Sequence, residues 1–412
     1  MQSVTELIRE AELSLHAAFK EIDERELIIL ERVLDAFQSK RVSARHFAPT
    51  NGYGYDDAGR DCLDRVFAAA MEAEDAIVSP QIANGTHALF LALNALLMPG
   101  DTALSISGAP YDTLRGAIGL DGNLPGSLSG KGVGFCEIPL LDGAGIDIER
   151  ALKYMEGQSV KLVYVQRSRG YADRKSLAAT ELRAAFTQIK SASPNTIILV
   201  DNCYGEFTEL HEPCALGADI MAGSLIKNPG GGLAPTGGYV AGRADLIERV
   251  ANLLTVPGCG REIGSYEASY RPFFQGLFMA PHTVAQCQKT ARLFAAVLKK
   301  MGYDCNPAFN EERADIIQSV TFGNERDLTA FCRAIQAAAP VDSFAVPQPW
   351  AMPGYADPVI MAAGTFVQGA TSELSCDAPI RPPYTAYVQG SLSYAHGKIA
   401  LFRAVNALLD KE

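Results

Sequence analysis

Hydrophobic positions change their period along the chain. Between residues 4 and 39, apolar residues recur three or four positions apart with charged residues between them, which predicts helix. Two short runs rich in aliphatic residues, 160–166 and 196–200, are separated by a helical pattern at 178–191. Short buried strands that alternate with helices indicate an α/β protein with a mostly parallel sheet covered on both faces.

The same signals predict the other elements. Helices are expected at about 59–73, 86–97 and 281–301, and strands at 102–107, 220–224 and 238–241. The segment 48–57 is rich in glycine and tyrosine, and 346–358 in proline and glycine, so both are expected to be loops. A chain of 412 residues exceeds one ordinary core. We expect an N-terminal helical segment (1–50), a large domain (51–285) and a smaller α/β C-terminal domain (286–412).

Composition narrows the class of protein. Hydrophobic residues make up 48% and charged residues 20%, as in a soluble globular protein. The net charge of −11 argues against nucleic acid as the main partner, since phosphate contacts need clustered lysine and arginine. Nine scattered cysteines without a C-x-x-C pair favour reduced thiols over a disulfide framework or a metal site. The chain starts without a signal-peptide pattern, and its longest apolar stretch falls short of the roughly 20 residues of a membrane span. A cytoplasmic location is expected.

Two charged residues follow predicted strands. Asp201 comes directly after the apolar run 196–200, and Lys227 lies between the strand 220–224 and a run of three glycines. Ligands of open parallel sheets bind outside the carboxyl ends of the strands, so both side chains would face one crevice. Each has an ordinary alternative, because an aspartate after a strand often caps a helix and a lysine beside glycines often lies on a surface loop.

The chemistry favours a joint role for the pair. A lysine forms a Schiff base with an aldehyde only when its amine is neutral, which a desolvated site with a depressed pKa promotes. An aspartate beneath a pyridine nitrogen keeps that nitrogen protonated and makes the ring a better electron sink. Asp201 and Lys227, in this order and context, therefore indicate a pyridoxal 5'-phosphate (PLP) site.

Seven motifs make the chain recognisable from about residue 45 onward. They are YGYDDAGR (53–60), QIANGTHA (81–88), PYDTL (110–114), QRSRGY (166–171), DNCYGEF (201–207), SLIKNPGGG (224–232) and FQGLFMAP (274–281). With them the chain resembles the fold-type-I PLP-dependent enzymes of the Cys/Met-metabolism group, and within that group the methionine gamma-lyase-like or aluminium-resistance branch. The resemblance implies the aspartate aminotransferase-like fold of PLP-dependent transferases, with a mostly parallel sheet in the large domain.

The resemblance also implies residue roles. Lys227 would carry the cofactor and, once freed by substrate, move the Cα proton, while Asp201 would pair with the ring nitrogen. Gly85 and Thr86, at a predicted helix N-terminus, would bind the cofactor phosphate together with the hydroxyl of Ser224. Without the family context, the turn before this helix is equally an ordinary N-cap.

Further roles concern the ring, the substrate and a second subunit. Tyr111 would stack on the cofactor ring and is a candidate acid for a departing thiolate. Tyr55, with Tyr53 as a rival, and Arg60 would reach the phosphate site of a neighbouring subunit. That implies a homodimer, itself paired into a homotetramer, with active sites at the subunit interface. Arg381 would bind the substrate carboxylate.

Several assignments stay open. Arg271 is an alternative to Arg381, which is preferred because the family carries this group in its smaller domain. Arg167 and Arg169 follow a strand end, and either could contact substrate or cofactor. Ile226 stands at a position where the wider group has a hydroxyl residue. The segment that begins at Gln166 also differs from the Asn-Pro sequence that is common in that group. These departures concern the phosphate site and the substrate pocket.

The expected activity is that of a PLP-dependent carbon–sulfur lyase acting on a sulfur amino acid. Elimination at Cβ or Cγ would release a keto acid, ammonia and a thiol. Another fate of the same amino acid, transamination or aldol cleavage, is the alternative within PLP chemistry. A nucleotide-binding loop is disfavoured because no G-x-x-x-x-G-K-[ST] motif occurs. A cofactor-free binding protein on an enzyme scaffold is the remaining class.

Overall fold

The computed structural model describes residues 3–122, 124–141, 145–172, 174–351 and 357–410. Residues 352–356 of the predicted loop 346–358 thus lie outside the described residues. The strands are β1 Asp75–Ser79, β2 Thr102–Ser105, β3 Gly134–Glu137, β4 Leu162–Gln166, β5 Ile197–Asp201, β6 Ile220–Ser224, β7 Gly238–Gly242, β8 Asp304–Asn306, β9 Ile317–Thr321, β10 Val359–Ala362, β11 Ser375–Pro379 and β12 Thr385–Gln389. The helices are α1 Val4–Ser14, α2 His16–Ser39, α3 Ala58–Ala70, α4 Gly85–Leu96, α5 Asp112–Ile118, α6 Ile148–Gly157, α7 Ala179–Ala192, α8 Ala244–Leu254, α9 Arg271–Lys300, α10 Glu325–Ala337 and α11 Tyr394–Leu409.

The first seven strands form one sheet in the order β1-β7-β6-β5-β4-β2-β3. Strands β2 to β6 pair in parallel, and β7 runs antiparallel to both β6 and β1. The predicted mostly parallel sheet is confirmed. Because β4, β5 and β6 are parallel neighbours, their carboxyl ends lie at the same edge of the sheet.

Both faces of this sheet are covered. Val163 and Val165 of β4 point into a core shared with α2, α3, α7 and α9, whereas Leu162 and Tyr164 point into a second core with α4, α5 and α8. This arrangement explains the nearly continuous apolar runs, since every residue of such a strand is buried. Each buried aliphatic side chain contributes roughly 1.5–3 kcal/mol relative to exposure.

The last five strands form a smaller antiparallel sheet in the order β10-β11-β12-β9-β8. Helices α10 and α11, the second half of α9 and the apolar face of α1 pack on it in a third core. The large sheet falls within 51–285 and the small one within 286–412. Helix α1 packs on the core of the small sheet, and α2 packs mainly on the core of the large one. The exact domain division stays a prediction.

Two helix boundaries differ from those expected. The run 4–39 is broken at Leu15, the residue between α1 and α2. Helix α9 begins at Arg271, ten residues before the expected start, and continues through Pro281. A proline inside a helix removes one backbone hydrogen bond and usually marks an end. Here Pro281 is buried between packed neighbours in α9, so tertiary packing outweighs the local preference.

Among the described helices, none combines the length and the apolar composition that crossing a bilayer requires.

Candidate active site

A cavity of about 190 Å³ lies at the carboxyl ends of β4, β5 and β6. Gln166 ends β4, Asp201 ends β5 and Ser224 ends β6. Six of the residues predicted from the sequence line this one cavity: Gly85, Thr86, Tyr111, Asp201, Ser224 and Lys227. Positions spread over more than 140 residues of sequence are thus brought together by the parallel sheet.

Asp201 is buried at the cavity floor with its carboxylate held in place. The Cys203 backbone N–H donates to Oδ1 at 3.1 Å, and the Tyr164 hydroxyl donates to Oδ2 at 3.3 Å. Burial raises the pKa of Asp201, and the positive charge of Lys227 partly opposes that rise. The side chain therefore has a fixed orientation and a stronger affinity for a proton than a free aspartate.

Lys227 lies in the turn after β6. Its Nζ sits 4.0 Å from the ring centroid of Tyr204, a cation–π contact. Tyr204 has φ +69°, a conformation that non-glycine residues rarely adopt and that concentrates at functional sites. A depressed lysine pKa, expected from burial, is not what this site produces. Removal from water lowers the pKa of Lys227, but the neighbouring acidic groups Cys203, Tyr204, Asp201 and Glu206 raise it overall.

The start of α4 forms one end of the cavity. Asn84 caps the helix, its Oδ1 accepting the His87 N–H at 2.8 Å, so the first backbone N–H groups of α4 point outward. A Cβ at Gly85 would lie 3.1 Å from Cys203 Sγ and 3.3 Å from Ser224 Cβ. Glycine therefore keeps this corner open. A helix N-terminus beside hydroxyl groups is suited to a phosphate.

Thr113 is a cavity residue that sequence reasoning missed. Its Oγ1 lies 2.7 Å from Thr86 Oγ1, which adds a hydroxyl to the anion-binding end. Its position two residues after Tyr111, in the first turn of α5, is a signal that could have identified it. Ile226 also lines the cavity. The Thr113 hydroxyl is thus a candidate replacement for the hydroxyl that the wider group has at the position of Ile226.

Tyr111 precedes α5 and stands at the cavity wall. A Cβ at Gly170 would lie 3.0 Å from its ring, so the glycine allows the aromatic ring to pack closely. Tyr171 meets the same ring edge-on with centroids 6.0 Å apart. Gln166 donates its Nε2 hydrogen to the Ser168 carbonyl at 3.0 Å. Its buried Oε1, among the described residues, has no hydrogen-bond partner, and a bound ligand could supply one.

Arg381 lies beside this cavity rather than in it. A neighbouring cavity of about 550 Å³ contains Arg381 and shares Tyr111 and Gln166 with the first. The Arg381 guanidinium forms an ion pair with Asp357 at 3.0 Å and is half exposed. The rival Arg271, exposed at the start of α9, lies over the ring of Phe47 and lines neither of these two cavities.

The other two arginines are both buried. Arg167 donates to Asn202 Oδ1 at 3.0 Å and to the Gly205 carbonyl at 2.9 Å, so it braces the loop after β5. Arg169 donates to Ser319 Oγ of the small sheet at 2.9 Å and lines the larger cavity. Of the two, only Arg169 lines this neighbouring space, and Arg167 belongs to the loop scaffold.

Tyr55 and Arg60 do not reach the cavity of their own chain. Tyr53 and Tyr55 are exposed and stack on each other with ring centroids 5.4 Å apart. Arg60 is buried and donates to the Gly54 carbonyl at 3.0 Å, so it is not a solvated helix charge. Their reach into a second subunit stays a prediction.

The residues present fit PLP. Asp201 suits a ring nitrogen, the start of α4 and its hydroxyls suit a phosphate, and Lys227 suits an aldehyde carbon. The unpartnered Gln166 Oε1 and the open corner at Gly85 are features that a bound group of this kind would satisfy. The fold and the site together define a fold-type-I PLP-enzyme architecture.

Comparison with known proteins identifies the family. The family model for methionine gamma-lyase matches residues 4–409, and the chain belongs to that family. The uncharacterised protein YnbB of Bacillus subtilis is 47% identical over 399 residues, 97% of this chain and 94% of YnbB. The family is one of lyases, which agrees with the resemblance seen in the motifs.

Solved structures extend this finding. A Listeria monocytogenes protein described as a candidate cystathionine beta-lyase involved in aluminium resistance has a TM-score of 0.96 and 47% identity. That match covers 98% of this chain and 99% of the Listeria chain. The PLP-dependent protein YhfS of Escherichia coli, at 18% identity and a TM-score of 0.64, covers 96% of this chain and 97% of its own. This last likeness concerns the fold alone, and it confirms the predicted fold class.

Proposed function

We propose that the protein is a PLP-dependent carbon–sulfur lyase that acts on a sulfur amino acid by β- or γ-elimination. The products would be a keto acid, ammonia and a thiol. The observation that carries the proposal is the convergence of Lys227, Asp201 and the anion-binding start of α4 on one cavity. The methionine gamma-lyase family match supports the same class of reaction.

When bound, PLP supplies an aldehyde for the lysine amine and a ring that withdraws electrons from the substrate carbon. Asp201, buried and hydrogen-bonded, would keep a proton on the ring nitrogen. Gly85, Thr86 and Ser224 would hold the phosphate through backbone N–H and hydroxyl groups. Each of these residues acts from a fixed position, which is how a protein directs a cofactor with several possible reactions.

Lys227 would act as the base at the substrate Cα. Its Nζ lies in the cavity above Tyr204, and it must first lose the proton that its acidic neighbours stabilise. Tyr111 lines both cavities, so its hydroxyl is the candidate donor of a proton to the departing sulfur. The larger cavity would receive the substrate side chain.

The proposal is tested with a panel of sulfur amino acids. We expect the PLP-loaded protein to release a keto acid and ammonia from at least one of them, in equal amounts. Pyruvate added to the same reactions separates the alternative, because an aminotransferase would form alanine in place of ammonia. Alanine without ammonia would contradict the lyase proposal.

Arg381 is expected to bind the substrate carboxylate after leaving Asp357. Replacing Arg381 with alanine should raise KM about tenfold or more, because a charged hydrogen bond contributes roughly 1.5–3 kcal/mol. The matched control is Arg271→Ala, which removes the rival arginine and should leave KM unchanged. The reverse result, measured by steady-state kinetics, would assign the carboxylate to Arg271.

We also propose a homodimer whose sites combine residues of two subunits. The exposed Tyr53–Tyr55 stack supports this, since a solvent-facing aromatic pair on a glycine-rich loop is typical of a contact surface. Mixing inactive Lys227→Ala protein with a Tyr55→Ala, Arg60→Ala double variant should restore about a quarter of the activity in reassembled dimers. Mixtures that stay inactive while exchanging subunits would contradict shared sites.

A further inference from the structure

Glu206 is a fully buried acid that the proposed reaction does not use. It lies in the loop after β5. The Tyr239 hydroxyl of β7 donates to its Oε1 at 2.8 Å, while its equally buried Oε2 has no partner within the described part of the chain. An ionised carboxylate with an unpaired oxygen is costly in a protein interior. The neutral, protonated form is therefore favoured.

Glu206 is fastened to the turn that carries Lys227. Asn228, the next residue after the lysine, donates its side-chain N–H groups to the carbonyls of Tyr204 and Glu206, both at 2.9 Å. A Cβ at Gly223, on the strand that leads into the lysine turn, would lie 2.8 Å from Glu206 Oε1. The acid and the lysine thus lie on two segments that are clamped together.

Several titratable groups surround this pair. Those facing Lys227 are Asp201 at the end of β5, Cys203, Tyr204 and Glu206 from the loop that follows, and Asp377 from the small sheet. Those facing Glu206 are Cys203, Glu212, Tyr239 and Lys227. Burial raises the pKa of Glu206 to about 8, with Tyr239 and Lys227 opposing the rise. Burial likewise raises the pKa of Asp377, to about 6, so Glu206 titrates above it.

We propose that Glu206 is a positioning residue for Lys227: clamped beside the lysine turn by Asn228, its carboxyl holds the proton on the lysine nitrogen whenever it is ionised. The inference rests on the proposed function for its catalytic meaning. Lys227 would lose its proton, and so act as a base, most easily while Glu206 is neutral. In more alkaline solution Glu206 would ionise, and Lys227 would then bind its proton more strongly. The acid thereby limits how far the lysine nitrogen changes its charge with pH.

The first test follows the absorbance of bound PLP, which reports the proton on the Lys227 nitrogen. Glu206→Gln keeps the shape of the side chain and removes the charge, so the midpoint of the pH titration should fall by about one unit. Glu206→Asp should restore part of the shift. Asp64→Asn is the matched control: Asp64 is also buried, with a pKa raised to about 7, but it lies in α3 and accepts the N–H of Val78 in β1. Its midpoint should equal that of the wild type.

An unchanged midpoint in folded, PLP-loaded Glu206→Gln protein would overturn the proposal, because a purely structural residue tolerates this replacement. A second measurement needs no cofactor. The infrared carbonyl band of protonated Glu206, isolated against Glu206→Gln or, if that variant does not fold, Glu206→Asp, should disappear near pH 8. In Lys227→Met it should persist to higher pH, since coupling between two sites is reciprocal.

Equal infrared midpoints with and without Lys227 would also overturn the proposal. The two measurements separate this inference from the proposed function. If the wild-type protein takes up no PLP, the proposed function fails, and the infrared comparison still decides whether Glu206 and Lys227 are coupled.

Discussion

Lys227→Ala protein is expected to lose keto-acid release from every sulfur amino acid, by more than about a thousandfold in kcat. Among the described residues that line the cavity at the ends of β4, β5 and β6, the variant removes the only lysine. It therefore removes both the proposed attachment point for the cofactor and the proposed base at Cα. Initial rates of keto-acid formation at saturating PLP provide the measurement.

Two controls make this result specific. Lys299→Ala removes an exposed lysine that pairs with Asp304 on the small domain, and it should keep wild-type activity. Small primary amines added to Lys227→Ala protein should restore part of the rate, because they can occupy the space of the missing side chain and accept the same proton. Undiminished turnover without added amine would contradict the role assigned to Lys227.

The second large effect is expected for Asp201→Asn, with kcat/KM lower by about 100- to 1000-fold. Asparagine can still accept the N–H of Cys203, so the substitution mainly removes the negative charge. In the proposed site, a proton on the ring nitrogen would then no longer be stabilised, and the ring would withdraw electrons less well. Steady-state kinetics measures the loss, and the absorbance of bound PLP shows whether the cofactor is retained.

Asp219→Asn is the matched control for this variant. Asp219 accepts the Ile198 N–H at 2.7 Å and pairs with Lys190 and Arg243, at the opposite end of the same strands. Its replacement should lower the free energy of unfolding and leave kcat/KM unchanged. Equal kinetic losses in both variants would mean that Asp201 acts only through the stability of the sheet.

The central strands could be predicted because burial on both faces produces uninterrupted apolar runs. The pattern works for β4 and β5 and fails for β3, whose four residues include a glycine and two partly buried side chains at the sheet edge. It also fails for the start of α9, because Pro281 inside the helix is a residue that usually marks a helix boundary. Packing against the large sheet, which no local pattern records, decides that boundary.

The candidate site was predictable where both the chemistry of a residue and its position after a strand indicated a role in the site, as for Asp201 and Lys227. It was not predictable where a role depends on distant segments. Arg60 can be buried because the carbonyls of Gly54 and Gly264 accept hydrogen bonds from its guanidinium, and Gly264 is remote in sequence. Glu206 likewise owes its environment to Tyr239, on a strand that reverses direction.

Helix α9 belongs to two cores at once, with its first half against the large sheet and its second half against the small one. Each residue of an α-helix adds about 1.5 Å of rise and about 100° of rotation. A single inserted or deleted residue near the middle of α9 would therefore shift Asp377 relative to Lys227 and move Arg381 away from the neighbouring cavity that it lines. Over evolutionary time, changes in chain length should be tolerated in surface loops and excluded from this helix.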